Sequence, residues 1–147
     1  MYKRILVSTD GSKLSDKAIK EAAKLAKLAQ ADLLILHVRP PYDRPLYMEG
    51  SSLAMPSRKK QKIAEDKEEH DILHAAAKIA DAIGATTETT YVTSTSPFEA
   101  IVKTAKKEKC DLIVMSSHGR RGLAGLLIGS ETQKVLIHTT VPVLVVR

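Results

Sequence analysis

The sequence has little of what small proteins use for covalent or aromatic stabilisation. It contains a single cysteine, no tryptophan and one phenylalanine among 147 residues. One cysteine excludes an intrachain disulfide, and Cys110, at the start of an apolar run, fits a buried thiol in the reducing cytoplasm. The core has to be aliphatic, and an apolar fraction of 44% is enough for a single domain over residues 1–147.

Long apolar runs are also missing. No stretch approaches the roughly 20 residues that a membrane-spanning helix needs. The sequence starts with a strand-like segment and shows no signal peptide. We therefore expect a cytoplasmic protein that has no membrane partner.

The chain is basic, with 23 lysine and arginine residues against 17 acidic ones and a formal charge of +6. A basic balance is typical of nucleic-acid binding, but the distribution of the charges argues against it. Between residues 17 and 29, lysines recur at helical spacing opposite alanines and leucines, which indicates the solvated face of an amphipathic helix. Aromatic residues do not interleave with the basic ones to stack on bases. We expect no nucleic-acid partner.

Two histidines stand four residues apart in His70-Asp-Ile-Leu-His74. This spacing places both imidazoles on one side of a helix and can hold zinc. The metalloprotease pattern, however, requires glutamate where this chain has Asp71, and the sequence offers no third ligand. We interpret the pair as part of a solvated helix face and expect no metal site built from side chains.

Strand-like and helix-like segments alternate along the chain. Apolar runs at 5–7, 33–38, 112–115 and 141–146 predict four strands, and a polar, threonine-rich run at 87–93 predicts a fifth that suits a sheet edge. Helices are predicted at about 14–29, 57–83, 97–107 and 131–138. The alternation predicts an α/β fold, a doubly wound five-stranded parallel sheet of order 3-2-1-4-5 with helices on both faces.

Several helix ends carry recognisable signals. Ser12 or Ser15 is the expected N-cap of the first helix, and Gly84 is expected to end the second. The segments Ser96-Pro-Phe-Glu99 and Ser130-Glu-Thr-Gln133 have the form of capping boxes, which predicts that a helix begins at each of them.

The last strand raises a question about the edge of the sheet. It is almost wholly aliphatic, and no helix follows it to cover the edge. An exposed aliphatic edge favours pairing with another chain, so we predict a homodimer through residues 141–147. The alternative is that neighbouring loops cover this edge.

Four of the seven glycines fall within eleven residues, between a predicted strand and a predicted helix: Gly119, Gly122, Gly125 and Gly129. Glycine lets backbone N–H groups approach an anion closely, and a helix start directs unpaired N–H groups and the positive end of its dipole to the same place. This order of segments predicts a phosphate site. The common phosphate motifs G-x-x-x-x-G-K-[ST] and G-x-G-x-x-G are absent, so the pattern by itself also fits a flexible surface loop.

In the predicted strand order the loop after the first strand faces the glycine-rich loop across a switch point, where open α/β sheets bind ligands. We expect Asp10 to accept hydrogen bonds from a ribose, the backbone of Val38 to meet an adenine edge, and the N–H groups of Ser130 and Glu131 to hold phosphate. Arg120 and Arg121 are expected to screen phosphate charge. His118 either contacts phosphate, acts as a base or orders the loop.

The whole chain resembles the universal stress protein family, a branch of the adenine-nucleotide α-hydrolase-like fold. The resemblance is carried by Ile5-Leu-Val-Ser-Thr-Asp-Gly-Ser12, Leu36-His-Val38, Cys110-Asp-Leu-Ile-Val-Met115 and Pro142-Val-Leu-Val-Val146. Members that bind nucleotide carry G-x2-G-x9-G-[ST] after the fourth strand. Here Gly119 and Gly129-Ser130 match the last elements, while Ser116 stands where the first glycine is expected. A positive φ or a very close approach at that position would penalise serine.

The resemblance implies an adenine-nucleotide-binding stress-response protein, with ATP or AMP as ligand and Mg²⁺ or Mn²⁺ on the phosphates. It also implies dimers formed through the last strand. The residues predicted to line the nucleotide are Thr9, Asp10, Val38, Met115, Ser116, His118, Gly119, Arg120, Gly129, Ser130 and Glu131.

Three functions remain open at the level of sequence. The first is a nucleotide-gated dimeric switch or sensor that acts on a protein partner. The second is a nucleotide-independent interaction protein of the same fold, and the third is a slow ATPase in which His118 or Asp10 positions water. We expect no fast hydrolysis, because no dedicated general base or metal-binding carboxylates accompany the loop. The connector from Arg39 to Ser57 is either a lid, a docking loop or a plain surface loop.

Overall fold

A computed structural model of the protein describes residues 1–41, 57–119 and 128–147. Strands and helices alternate along these ranges. Their bounds are β1 Arg4–Thr9, α1 Lys13–Ala29, β2 Asp32–Arg39, α2 Arg58–Ile83, β3 Thr86–Thr93, α3 Pro97–Lys107, β4 Leu112–Ser116, α4 Ser130–His138 and β5 Val143–Val146.

The strands form one five-stranded sheet in the order β3-β2-β1-β4-β5, and every neighbouring pair is parallel. The predicted fold class and strand order are therefore confirmed. The threonine-rich β3 lies at one edge, where most of its residues are half-buried or exposed. The other edge is β5, and its Leu144 is exposed.

Each face of the sheet is covered by a pair of helices. On one face, Ile5 and Val7 pack with α1 residues such as Ile19, and α2 adds small alanines. On the other face, Leu6 packs with Ile101 of α3 and Val135 of α4 clusters with it. Successive residues of a strand point to opposite faces of the sheet. An almost continuous apolar strand such as β1 therefore contributes side chains to the cores on both faces.

The first two helices end and begin largely as the sequence predicts. Ser12 is the N-cap of α1, and its side chain accepts a hydrogen bond from the Ser15 N–H at 3.2 Å. Gly84 ends α2 in the left-handed conformation, with φ of 85°. Gln30 ends α1 in the same conformation, although a non-glycine residue there is uncommon.

The two predicted capping boxes do not form. Ser96 is the N-cap of α3 but makes no side-chain capping bond, and its own N–H donates to the Ser94 hydroxyl. The predicted cap at Ser130 is wrong, because Gly129 is the N-cap of α4 and Ser130 is already inside the helix. At α3 a hydrogen bond from the Phe98 N–H to the Glu131 carboxylate replaces the local pattern, whereas the N-cap of α4 has no side-chain capping bond.

The single cysteine is buried beside β4, as expected. Burial raises the pKa of the Cys110 thiol, and the Arg4 guanidinium acts in the opposite direction. A raised thiol pKa lowers the thiolate fraction, so this side chain is suited to packing rather than to reaction. Within the described ranges, no helix is long and apolar enough to cross a membrane.

Candidate functional site

The turn between β1 and α1 is held by its own side chains. The Asp10 carboxylate accepts a hydrogen bond from the Ser12 N–H at 3.0 Å. The Thr9 hydroxyl accepts one from the Gly11 N–H at 3.2 Å and lies 3.0 Å from the Ser15 hydroxyl. These short-range bonds fix the backbone of the turn and leave Asp10 half-buried at the carboxyl end of β1.

The structure brings this turn together with the end of β4. β1 pairs with β2 on one side and β4 on the other, so the switch point lies between β1 and β4. A Cβ added to Gly119 would lie 2.8 Å from the Asp10 Oδ2 atom. A side chain at position 119 would therefore require the Asp10 carboxylate to shift.

Hydrogen bonds also tie the end of β4 to the start of α4. The Gly129 N–H donates to the Ser117 carbonyl at 2.6 Å, and the Thr132 hydroxyl donates to the Ser116 carbonyl at 3.0 Å. The Ser117 N–H in turn donates to the Val146 carbonyl at 2.7 Å. Sequence reasoning missed Ser117 and Thr132, because their roles depend on the approach of α4 to the sheet.

Ser116, which replaces a family glycine, is accommodated within regular structure. It ends β4, and its hydroxyl donates to the His118 carbonyl at 2.7 Å. In the described ranges, the non-glycine residues with positive φ are Gln30 and Lys109, so Ser116 is not in a conformation that requires glycine. The His118 Nδ1 atom lies 3.0 Å from the Ser117 hydroxyl, a contact that orders the loop.

The start of α4 differs from the other helix starts of the described ranges. Side chains cap α1 and α2, through Ser12 and Ser57. The Glu131 carboxylate accepts a hydrogen bond from the Phe98 N–H at 2.9 Å and so caps α3. At α4 the N-cap is Gly129, which has no side chain to offer. The first N–H groups of a helix have no acceptor within the helix, so this end is suited to an anion.

The backbone and the side chain of Glu131 therefore have different surroundings. Its backbone belongs to the uncapped first turn of α4, where the sequence predicts phosphate contacts. Its carboxylate is directed to α3 and to Lys134, whose ammonium lies 2.9 Å away. The carboxylate thus adds negative charge to the start of α3, while the start of α4 keeps its positive dipole end.

The remaining predicted residues lie less directly at the cleft, by which we mean the space between the β1–α1 turn and the start of α4. Met115 is buried and packs in the core beneath α3 and α4, so only its backbone is left to meet a ligand. Val38 is half-buried near the end of β2 and packs at the border of the same cluster. Arg120 and Arg121, with Gly122 and Gly125, lie outside the described residues, as does most of the connector after β2.

A buried hydrogen-bonding contact beside Val38 was not predicted from sequence. The His37 Nδ1 atom lies 2.8 Å from each carboxylate oxygen of Glu69, and Glu69 is only 5% exposed. His37 is in register with Thr9 of β1, so the contact fastens α2 to the carboxyl end of the sheet. The signal available in the sequence was a glutamate on the apolar side of a helix.

The fold and cleft together define a doubly wound α/β protein in which a helix start without a side-chain cap lies at the switch point. The chain belongs to the universal stress protein family, whose model matches residues 1–147. It is 37% identical to the universal stress protein YxiE of Bacillus subtilis, with both chains covered completely. It is 33% identical to a universal stress protein of Methanocaldococcus jannaschii, over all of this chain and 83% of that one.

Solved structures agree with this assignment. A universal stress protein in complex with cAMP superposes with a TM-score of 0.75 at 29% identity, over 99% of this chain and 97% of the other. The universal stress protein UspA of Lactobacillus plantarum gives a TM-score of 0.77 at 28% identity, over 99% and 98% of the two chains.

Proposed function

We propose that this protein binds an adenine nucleotide in the cleft between the β1–α1 turn and the start of α4. The observation that carries the proposal is the first turn of α4, which has no side-chain cap and lies at the switch point. The segment that leads from β4 to this turn passes beside Asp10 at Gly119. The family relative in complex with cAMP supports it, because that ligand joins an adenosine to a phosphate.

Each part of the cleft suits one part of such a ligand. The N–H groups of Ser130 and Glu131 hold phosphate at the positive end of the α4 dipole. Asp10 accepts hydrogen bonds from the ribose hydroxyls, and the Val38 backbone meets the adenine edge. Glycine at position 119 lets the backbone after β4 lie close to the Asp10 carboxylate without a side chain that would displace it. Arg120, Thr9, Met115 and His118 complete the proposed site.

A divalent cation would be held by the nucleotide itself. The described residues include no group of three or more histidine, cysteine or acidic side chains arranged to hold a metal ion. Mg²⁺ is commonly held by substrate phosphates with few protein ligands. We therefore propose that Mg²⁺ or Mn²⁺ strengthens the binding of ATP, whose phosphates carry the most charge, and leaves cAMP binding unchanged.

The proposed role is that of a switch or sensor rather than an enzyme. Asp10 and His118 are engaged in the turns that they order, and neither is set up as a dedicated base. At most we expect weak hydrolysis of ATP. Ser117 links the cleft to β5, because its carbonyl contacts the start of α4 while its N–H contacts Val146. A ligand at α4 would thereby influence a homodimer formed through residues 141–147 and its binding of a protein partner.

The direct test is to denature the purified protein and identify any nucleotide released. Calorimetry on nucleotide-free protein with ATP, AMP and cAMP, with and without Mg²⁺, then ranks the ligands. We expect binding of at least one of them, with a Mg²⁺ effect confined to ATP. If none binds and none is released, the nucleotide proposal is wrong. If a nucleotide binds but leaves hydrogen exchange and sedimentation unchanged, the switch is wrong and the site stands.

Replacing Ser116 by glycine tests whether serine limits the affinity. The Ser116 hydroxyl donates its hydrogen bond to the His118 carbonyl, and the backbone conformation at Ser116 does not require glycine. We expect Ser116→Gly to change nucleotide affinity by less than about threefold, which is below 1 kcal/mol. Calorimetry with the preferred nucleotide measures this. A gain of about tenfold or more would instead mean that the serine side chain obstructs the ligand.

A further inference from the structure

A second concave surface lies away from the nucleotide cleft, between α1 and the last turns of α2. It is a groove of about 520 Å³ that combines three lysines with three apolar residues: Lys20, Lys24, Lys78, Ile79, Ala82 and Ile83. α2 ends at Ile83 just before β3 begins, so the Ile83 end of the groove is near the amino ends of the strands. We name it the α1–α2 groove.

Two of the three lysines of the α1–α2 groove carry charge that the described parts of the chain do not neutralise. Lys20 and Lys78 are exposed and have no hydrogen bond or ion pair with any described residue. Lys24 pairs with Glu21 of its own helix at 2.8 Å. Two unpaired ammonium groups thus flank an apolar lining, and their field favours an acidic ligand.

The apolar lining is shallow, with Ala82 exposed at its surface. Ile79 and Ile83 are half-buried and also pack against the core under α1 and α2. The Lys27 ammonium donates to the Ile83 carbonyl at 2.9 Å and so fixes one end of the groove. A shallow apolar lining next to long lysine side chains offers a contact surface for an aliphatic side chain that lies between acidic neighbours.

We propose that the α1–α2 groove docks a segment of a partner protein in which an aliphatic side chain is flanked by aspartate or glutamate. The aliphatic residue contacts Ile79 and Ile83, and the acidic residues pair with Lys20 and Lys78. A bilayer is a poorer match, because interfacial binding requires apolar side chains that project into the lipid. A nucleic acid is also a poorer match, because no aromatic residue lines the groove to stack on bases.

A selection from a library of random short peptides, displayed on phage, tests the proposal with the full-length protein as target. We expect enriched peptides to share an aliphatic residue flanked by acidic ones. Their binding, measured by fluorescence anisotropy, should weaken by about tenfold or more in the triple variant Lys20→Glu, Lys24→Glu and Lys78→Glu. Amide chemical-shift changes should be concentrated at α1 and the end of α2.

Two further variants separate the groove from general charge and from misfolding. Lys103→Glu, Lys106→Glu and Lys107→Glu change the net charge equally on α3, which covers the other face of the sheet, and should leave peptide binding unchanged. Ala82→Gln replaces an exposed alanine with a longer polar side chain without changing charge, and should weaken binding by about threefold or more. Circular dichroism confirms that each variant is folded.

The outcomes are distinct. The proposal is supported if peptides that combine acidic and aliphatic residues are enriched and bind the groove variants more weakly than the unmodified protein. It is overturned if no peptide is enriched, if the enriched peptides lack acidic residues, or if both triple variants lose binding equally. Groove-dependent binding only to phosphatidylserine vesicles, or only to single-stranded RNA, also overturns it and assigns the surface to that partner. None of these results depends on whether nucleotide binds at the cleft.

Discussion

Replacing Gly129 by valine is expected to abolish measurable nucleotide binding and to destabilise the protein. A Cβ at this position would lie 3.0 Å from the Ser117 carbonyl oxygen and 3.4 Å from the His118 Cα. Both are backbone atoms, and Ser117 is held by bonds to Val146 and Thr132, so neither can move aside easily. The first turn of α4 has to shift away from the end of β4.

Two quantities measure the effect of Gly129→Val. Overpacking of this kind costs about 1–3 kcal/mol, which chemical denaturation reports. Displacement of the helix start should weaken the preferred nucleotide by at least about a hundredfold, or ~2.7 kcal/mol, which calorimetry reports. Gly129→Ala, which adds only the Cβ, should give a smaller change in both.

A control separates loss of the site from loss of stability. Ala26→Gly removes a buried methyl group and a good helix former from α1, remote from the start of α4, and should cost about 1 kcal/mol or more. Its nucleotide affinity should match that of the unmodified protein. If Gly129→Val binds nucleotide as tightly as Ala26→Gly does, phosphate does not lie at the start of α4.

Replacing His37 by alanine is expected to destabilise the fold more than any surface change. The Glu69 carboxylate, only 5% exposed, has both oxygens 2.8 Å from His37 Nδ1. Removing the imidazole leaves a buried acid without its hydrogen-bond partner, and leaving such a group unsatisfied costs about 1–3 kcal/mol. Urea unfolding at neutral pH measures the loss.

The double variant His37→Leu with Glu69→Leu is the matched control. Apolar residues of similar volume often replace a buried polar pair with little loss, so this variant should recover most of the stability. Glu69→Gln keeps a polar partner for the imidazole and should cost about 1 kcal/mol. A loss of less than about 1 kcal/mol for His37→Ala would show that water reaches Glu69 readily, and that the contact does not fasten α2.

Much of the fold could be predicted because its signals are local. The polar, threonine-rich β3 indicated an edge strand and Gly84 the end of α2, and both predictions are confirmed. Of the two serines predicted as N-cap of α1, Ser12 and Ser15, the structure has Ser12. Alternating strands and helices allow few topologies when every crossover is right-handed. The strand order predicted that the loops of Asp10 and Gly119 face each other at one switch point, and the structure places these two residues side by side.

The capping of the later helices depends instead on contacts across the chain. Ser96 and Ser130 both matched a local capping pattern, yet neither caps a helix through its side chain. The acceptor at α3 comes from Glu131, 33 residues away from Phe98, because α4 packs beside α3 and brings the carboxylate there. A capping pattern of four residues contains no information about an acceptor so far away in the chain.

The class of fold, the order of the strands and the family could be predicted from sequence, because periodicity, turn residues and short motifs act between neighbours in the chain. Three features depend on tertiary packing: which helix start lacks a cap, the regular backbone at Ser116, and the contact of His37 with Glu69, 32 positions away. Those features depend on hydrogen-bonding groups that are distant in the chain, and the packing of the helices on the sheet decides which of these groups meet.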